Sequence, residues 1–160
     1  MKHRVSILVL ALSQVLAGAG HAAQDLDTLH AEIVGLYAEM HAALADDAVT
    51  MVETNGGKIA VKAASAVRFA ADPVPYQRLS EVAGRVAEEL EIEQLREAFK
   101  GLSMALAALV ESGQLGGTEF YYCPMADGYW AQKTDDAGVK NPYYGKSMLK
   151  CGSKVEKVEG

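Results

Sequence analysis

From Asp25 to Ala45 the apolar residues Leu26, Leu29, Ile33, Leu36, Tyr37, Met40 and Leu44 recur at steps of three and four. That spacing lays one apolar stripe along an α-helix. Asp46-Asp47 interrupts the stripe and offers a carboxylate to cap the amides of a second helix. Asn55-Gly56-Gly57 has the composition of a turn, yet Val49, Val52, Gly56, Ile59, Ala63, Val67 and Ala70 keep the helical steps through it. The spacing therefore predicts one helix to about Ala71, with Gly56 on its inward face, where a missing side chain admits a neighbouring helix. Asp72-Pro73-Val74-Pro75 ends it, because proline lacks the amide and restricts the residue before it. A third helix begins near Tyr76 and carries Leu79, Val82, Val86 and Leu90. A fourth begins about Glu91 to Gln94 and carries Leu95, Phe99, Leu102, Leu106 and Leu109 as far as Gly113. Amphipathic helices with short connections share one core most simply as an antiparallel four-helix bundle, so the expected fold is all-α over residues 24–113.

After Gly116-Gly117 the pattern changes, and seven of the eleven aromatic residues lie beyond it. Thr118 to Tyr122 is β-prone and is able to pair with Tyr129 to Lys133 as a short hairpin across Met125-Ala126-Asp127-Gly128. Residues 114–152 are expected to be an irregular, aromatic-rich tail packed on the helices within one domain, with Trp130 buried. The charged end, Ser153 to Gly160, is expected to fray.

Met1 to about Ala23 reads as a secretory signal, with Lys2 and Arg4, an apolar run from Val5 to Leu16, and small residues to Ala22-Ala23. The run is shorter than the roughly 20 residues of a membrane span. Export to a bacterial periplasm is the expectation, with no membrane span. Without Lys2 and Arg4 the net charge moves from −6 to −8, and the remaining basic residues are dispersed among acids. A nucleic-acid backbone calls for clustered Lys and Arg, so nucleic acid is not expected as a partner.

Both cysteines lie in the tail, as Cys123-Pro124-Met125 and Met148-Leu149-Lys150-Cys151. Thiolate and thioether are soft donors that suit Cu(I), with Ag(I) as its analogue. On an extended backbone Cys123 and Met125 share a face, and Met148 and Cys151 meet on one side of a helical turn. Cys123, Met125, Met148 and Cys151 are accordingly the candidate metal ligands. The other reading is a Cys123–Cys151 disulfide, which an oxidising compartment favours and which stabilises by about 3.5 kcal/mol on the chain-entropy relation. The methionines then fill gaps under the aromatic residues. His30 and His41, eleven residues apart on one helical face, stand about 16 Å apart along the axis. They cannot share an ion and are expected at the surface.

No catalytic motif of the Gly-x-Ser-x-Gly, His-Glu-x-x-His or phosphate-loop kind occurs. Cys-x-x-Cys is absent too, which disfavours a thiol oxidoreductase. The expectation is a protein that is not an enzyme.

Tyr122-Cys123-Pro124-Met125-Ala126, Gly128-Tyr129-Trp130 with Gln132, Asn141-Pro142-Tyr143-Tyr144-Gly145 and Met148-Leu149-x-Cys151-Gly152 together resemble the C-terminal signature of a bacterial periplasmic domain family of unknown function. Its members occur alone or attached to the periplasmic adaptor subunits of copper and silver efflux pumps. Arg96-x-x-Phe99-x-x-Leu102-Ser103 and Tyr37 to Asp47 are similar to that family's last and first helices, more loosely. Val139 stands where the family pattern usually has Ile. The resemblance implies a four-helix domain in a heavy-metal, chiefly copper, context, with an efflux adaptor or another metal-handling protein as partner. It implies no ligand set. Two functions are thus carried forward: a monomeric Cu(I)/Ag(I)-binding or delivery protein, and a disulfide-stapled protein-interaction module without metal.

Overall fold

The stripe of the first helix is buried where the spacing places it: Ile33, Tyr37, Met40 and Leu44 lie in the core, with Leu26, Leu29 and Leu36 packed at its margin. The structure is a computed structural model and describes residues 4–111, 115–134 and 138–159, with side chains from residue 25. Among the described residues the α-helices are α1 (Arg4–Ala45), α2 (Val52–Ala66), α3 (Val74–Val86) and α4 (Ile92–Glu111). Three strands follow, β1 (Thr118–Cys123), β2 (Gly128–Lys133) and β3 (Ser153–Val155), with a 3-10 turn at Gly145–Ser147 between the last two. α1 runs without a break across the expected leader boundary near Ala23. The leader's side chains, Lys2, the helix stop at Gly113 and the segment 135–137 lie outside the described residues and side chains. No helix among the described residues is long and apolar enough to cross a membrane.

Helices adjacent in sequence pack on one another, α1 on α2, α2 on α3 and α3 on α4. Gly56 is buried on the inward face of α2, as expected, and a Cβ there would stand 3.1 Å from the Ala83 carbonyl oxygen and 3.1 Å from Val86 Cβ. Elsewhere α2 departs from the sequence reading. It starts at Val52, after Met51 in a left-handed conformation (φ 73°), and no side chain caps it. The expected cap, Asp47, instead accepts from Arg96 Nη2 at 2.6 Å and from the Lys146 amide at 3.1 Å. α2 ends at Ala66, not Ala71, and the prolines open α3 where Asp72 Oδ1 accepts the Val74 amide. Proline fits a helix's first turn because that turn's amides have no partner within the helix. Leu90, assigned to the third stripe, lies beyond α3 and is 73% exposed. In α4 the whole stripe from Leu95 to Leu109 is buried.

The hairpin forms in the expected register region, with Tyr121 opposite Trp130 and Cys123 opposite Gly128. It is larger than expected, because β3 pairs antiparallel with the other edge of β1 in the order β2-β1-β3. Ser153 to Val155 is therefore a strand and not a frayed end. The fold is mostly helical, with a small antiparallel sheet in place of a wholly irregular tail. Tyr37 fastens the two layers. Its hydroxyl pairs with Ser103 Oγ of α4 at 2.7 Å and accepts the Ala131 amide of β2 at 3.0 Å. Trp130 is 0% exposed, stacked on Tyr121 and met edge-on by Tyr143.

Candidate functional site: a sulfur pair at the sheet edge

Cys123 is the last residue of β1, and the chain turns at once through Pro124 to Asp127 into β2. The antiparallel pairing of β1 with β3 sets Tyr122 opposite Ser153. This brings Cys151, two residues before Ser153, alongside Cys123. Gly152 makes the approach possible: its φ is 128°, and the place of a Cβ is taken by the Trp130 ring. An L-residue with a side chain suits neither that backbone nor that contact.

The two Sγ atoms stand 2.7 Å apart. That separation lies between a disulfide bond, about 2.05 Å, and two thiolates sharing one ion through bonds of about 2.3 Å at a tetrahedral angle, about 3.8 Å. Both cysteines are free thiols here, Cys123 buried and Cys151 partly exposed. Burial pushes the Cys123 thiol up, but hydrogen bonds from the Cys151 thiol, the Ala126 and Met125 amides and the Asn141 side chain outweigh it and bring it below the ordinary thiol value. Cys151 moves the other way, raised first by its hydrogen bond to Cys123 and then by desolvation. Cys123 is thus the more acidic thiol of the pair, and hydrogen bonds received at its sulfur are the cause.

Asn141 organises this region. The sequence marks it only by its place in the Asn141-Pro142-Tyr143-Tyr144-Gly145 run that carries the resemblance, yet it is completely buried. Its Nδ2 donates to the Cys151 carbonyl at 2.8 Å, its Oδ1 accepts the Tyr143 and Tyr144 amides, and its own amide donates to the Leu149 carbonyl. A primary amide has two donors and an acceptor, and this site employs both kinds. Gln132 does the same for the preceding loop, accepting from Trp130 Nε1 and the Lys140 amide and donating to the Gly138 carbonyl. Arg96 ties the Pro142 carbonyl to α4 and to Asp47. A signal for such roles was present in the sequence only as polar residues set among aromatics.

The other two candidate ligands stand in flanking turns. The backbone at Met125 is a turn and not an extended strand, so the expected shared face with Cys123 does not form. Met125 is 61% exposed and borders a surface pocket of about 260 Å³ with Arg96, Lys100 and Tyr144. Met148 is half-buried after the 3-10 turn, and its carbonyl accepts the Cys151 amide at 2.9 Å in a single tight turn. His30 and His41 are not surface residues. His30 Nε2 pairs with the Tyr76 hydroxyl at 2.6 Å, and His41 Nε2 donates to the Lys140 carbonyl at 2.7 Å. Among the described residues no group of three or more His, Cys, Asp or Glu side chains gathers at a metal-binding distance. The pair itself offers two sulfurs, which are soft donors, whereas structural Zn(II) sites take four N or S ligands. Comparison with protein families, with curated proteins and with solved structures finds no match for the chain.

Proposed function

We propose that this is an exported, periplasmic, non-enzymatic protein that binds Cu(I), or Ag(I) in its place, through Cys123 and Cys151, with a Met125 or Met148 thioether as a further donor. Its role is binding or delivery in heavy-metal efflux or homeostasis, and its partner is an efflux adaptor or another metal-handling protein. The observation that carries the reading is the meeting of two thiols from segments 28 residues apart, with hydrogen-bond donors directed at Cys123 that favour the thiolate, the form that ligates. The resemblance of the tail to the copper-associated periplasmic family supports it. The helices are read as an antiparallel bundle, which their short connections and neighbour-to-neighbour packing support.

A second reading rests on the 2.7 Å contact itself: in an oxidising compartment the pair closes to a disulfide and the chain is a stapled interaction module. One experiment separates the two. The reduced protein is set against a Cu(I) chelator alongside a thiol count on protein purified anaerobically from its own compartment. Under the metal reading it retains one Cu(I) in preference to Zn(II), Cys123→Ser and Cys151→Ser each remove most of the affinity, and Met125→Leu or Met148→Leu weakens it less. Failure to compete at any protein excess, with all variants alike and no free thiol in the native sample, leaves the stapled module.

A further inference from the structure

The two sulfurs differ in what can reach them. Cys123 is 0% exposed beneath the β1–β2 turn, with the Met125 and Ala126 amides and the Asn141 side chain directed at its sulfur. Cys151 is partly exposed, in the loop that leads from Met148 to β3, beside the exposed Lys150. Thiol–disulfide exchange proceeds by attack of a thiolate on one sulfur while the other leaves, so access decides which sulfur is attacked. Attack on Cys123 would have to come from the protein interior.

We propose that the oxidised Cys123–Cys151 pair is an exchange site for an external dithiol reductant, and that Cys151 is the sulfur attacked. The incoming thiolate bonds to Cys151 Sγ as the Cys123–Cys151 bond breaks. The electron pair stays on Cys123 Sγ, where the two amides and Asn141 receive the charge. The dithiol's second sulfur, after losing its proton, displaces Cys151, which leaves as a thiolate and is protonated. One disulfide is reduced here and one is formed in the reductant. The proposal needs no metal, only that oxidation joins the two sulfurs, and it goes beyond the metal reading by naming the partner that would restore the ligating dithiol.

Glutathione is the probe, a monothiol with no second sulfur of its own to displace Cys151, so that a brief exposure and an acid quench trap the mixed disulfide. The full-length protein is oxidised with diamide, exposed to glutathione, quenched in acid and alkylated, and its peptides are mapped by mass spectrometry. The expected species carries glutathione on Cys151 and the alkyl group on Cys123, in at least about tenfold excess over the reverse isomer, because access selects the attacked sulfur. Equal isomers, an excess of the reverse one, failure of diamide to join the sulfurs, or a disulfide that survives excess dithiothreitol each overturn the proposal. Alkylation rates add a second measure. Cys151 in Cys123→Ser is expected to react at least about tenfold faster than Cys123 in Cys151→Ser in the native state, the two converging in denaturant. Equal native rates overturn it as well.

Discussion

One hydroxyl joins three elements in this protein. Tyr37 sits on α1, pairs with Ser103 of α4 and accepts the Ala131 amide of β2. Burial raises its pKa, so the group stays a neutral phenol that both donates and accepts. Tyr37→Phe leaves the ring packed on Phe99 and strands a buried amide, which costs roughly 1–3 kcal/mol. Urea denaturation is expected to show that loss, and an unchanged midpoint would mean that water or a shifted Ser103 satisfies the amide. The sequence placed Tyr37 on the buried stripe through its spacing alone, but its partners lie 66 and 94 residues away. The same distance hid the histidines. Their common face was legible, while their partners, Tyr76 and the Lys140 carbonyl, are 46 and 99 residues away.

Adjacent glycines in α2 show how packing overrides propensity within one element. A Cβ on Gly56 meets the backbone of α3 at 3.1 Å, whereas one on Gly57 would stand 3.7 Å from Ala87 Cβ, an ordinary contact. Gly57→Ala is expected to stabilise by about 0.5–1 kcal/mol through helix propensity. Gly56→Ala makes the same propensity gain but forces α3 outward at about 1–3 kcal/mol, so its melting temperature falls while that of Gly57→Ala rises. Equal effects in thermal melts would show that the two helices are free to separate. The inward face of Gly56 followed from periodicity. β3 did not, because Ser-Lys-Val amid charged neighbours carries little strand signal. Its place comes from pairing with β1, aided at the solvent side by the Lys154–Glu119 ion pair at 2.7 Å.

At the scale of the whole molecule, stability should depend on pH through His30. Burial lowers its pKa from the ordinary 6.5, with Asp27 opposing in part. The unfolded chain thus binds the proton more readily than the folded one. The contribution is fully present above the unfolded pKa and is lost as pH falls through the folded one, so acidification below about 6.5 destabilises. His30→Gln should keep a partner for Tyr76 and flatten the fall in denaturation midpoint between neutral pH and about pH 5. An identical slope in the variant would assign that limb to other groups. Periodicity, strand propensity and composition are local properties, and they sufficed to locate the four helices, the hairpin and the cysteine-bearing tail. Helix ends were less legible, since the residues read as caps and stops serve other elements: Asp47 holds Arg96, and the prolines open α3. Only the tertiary structure decided that Cys123 and Cys151 face each other, that Asn141 clamps the loop between them, and that the methionines stand in the flanking turns. Those placements depend on β3 pairing with β1 and on Gly152 lying under Trp130, contacts between residues distant in sequence whose energies no local pattern encodes.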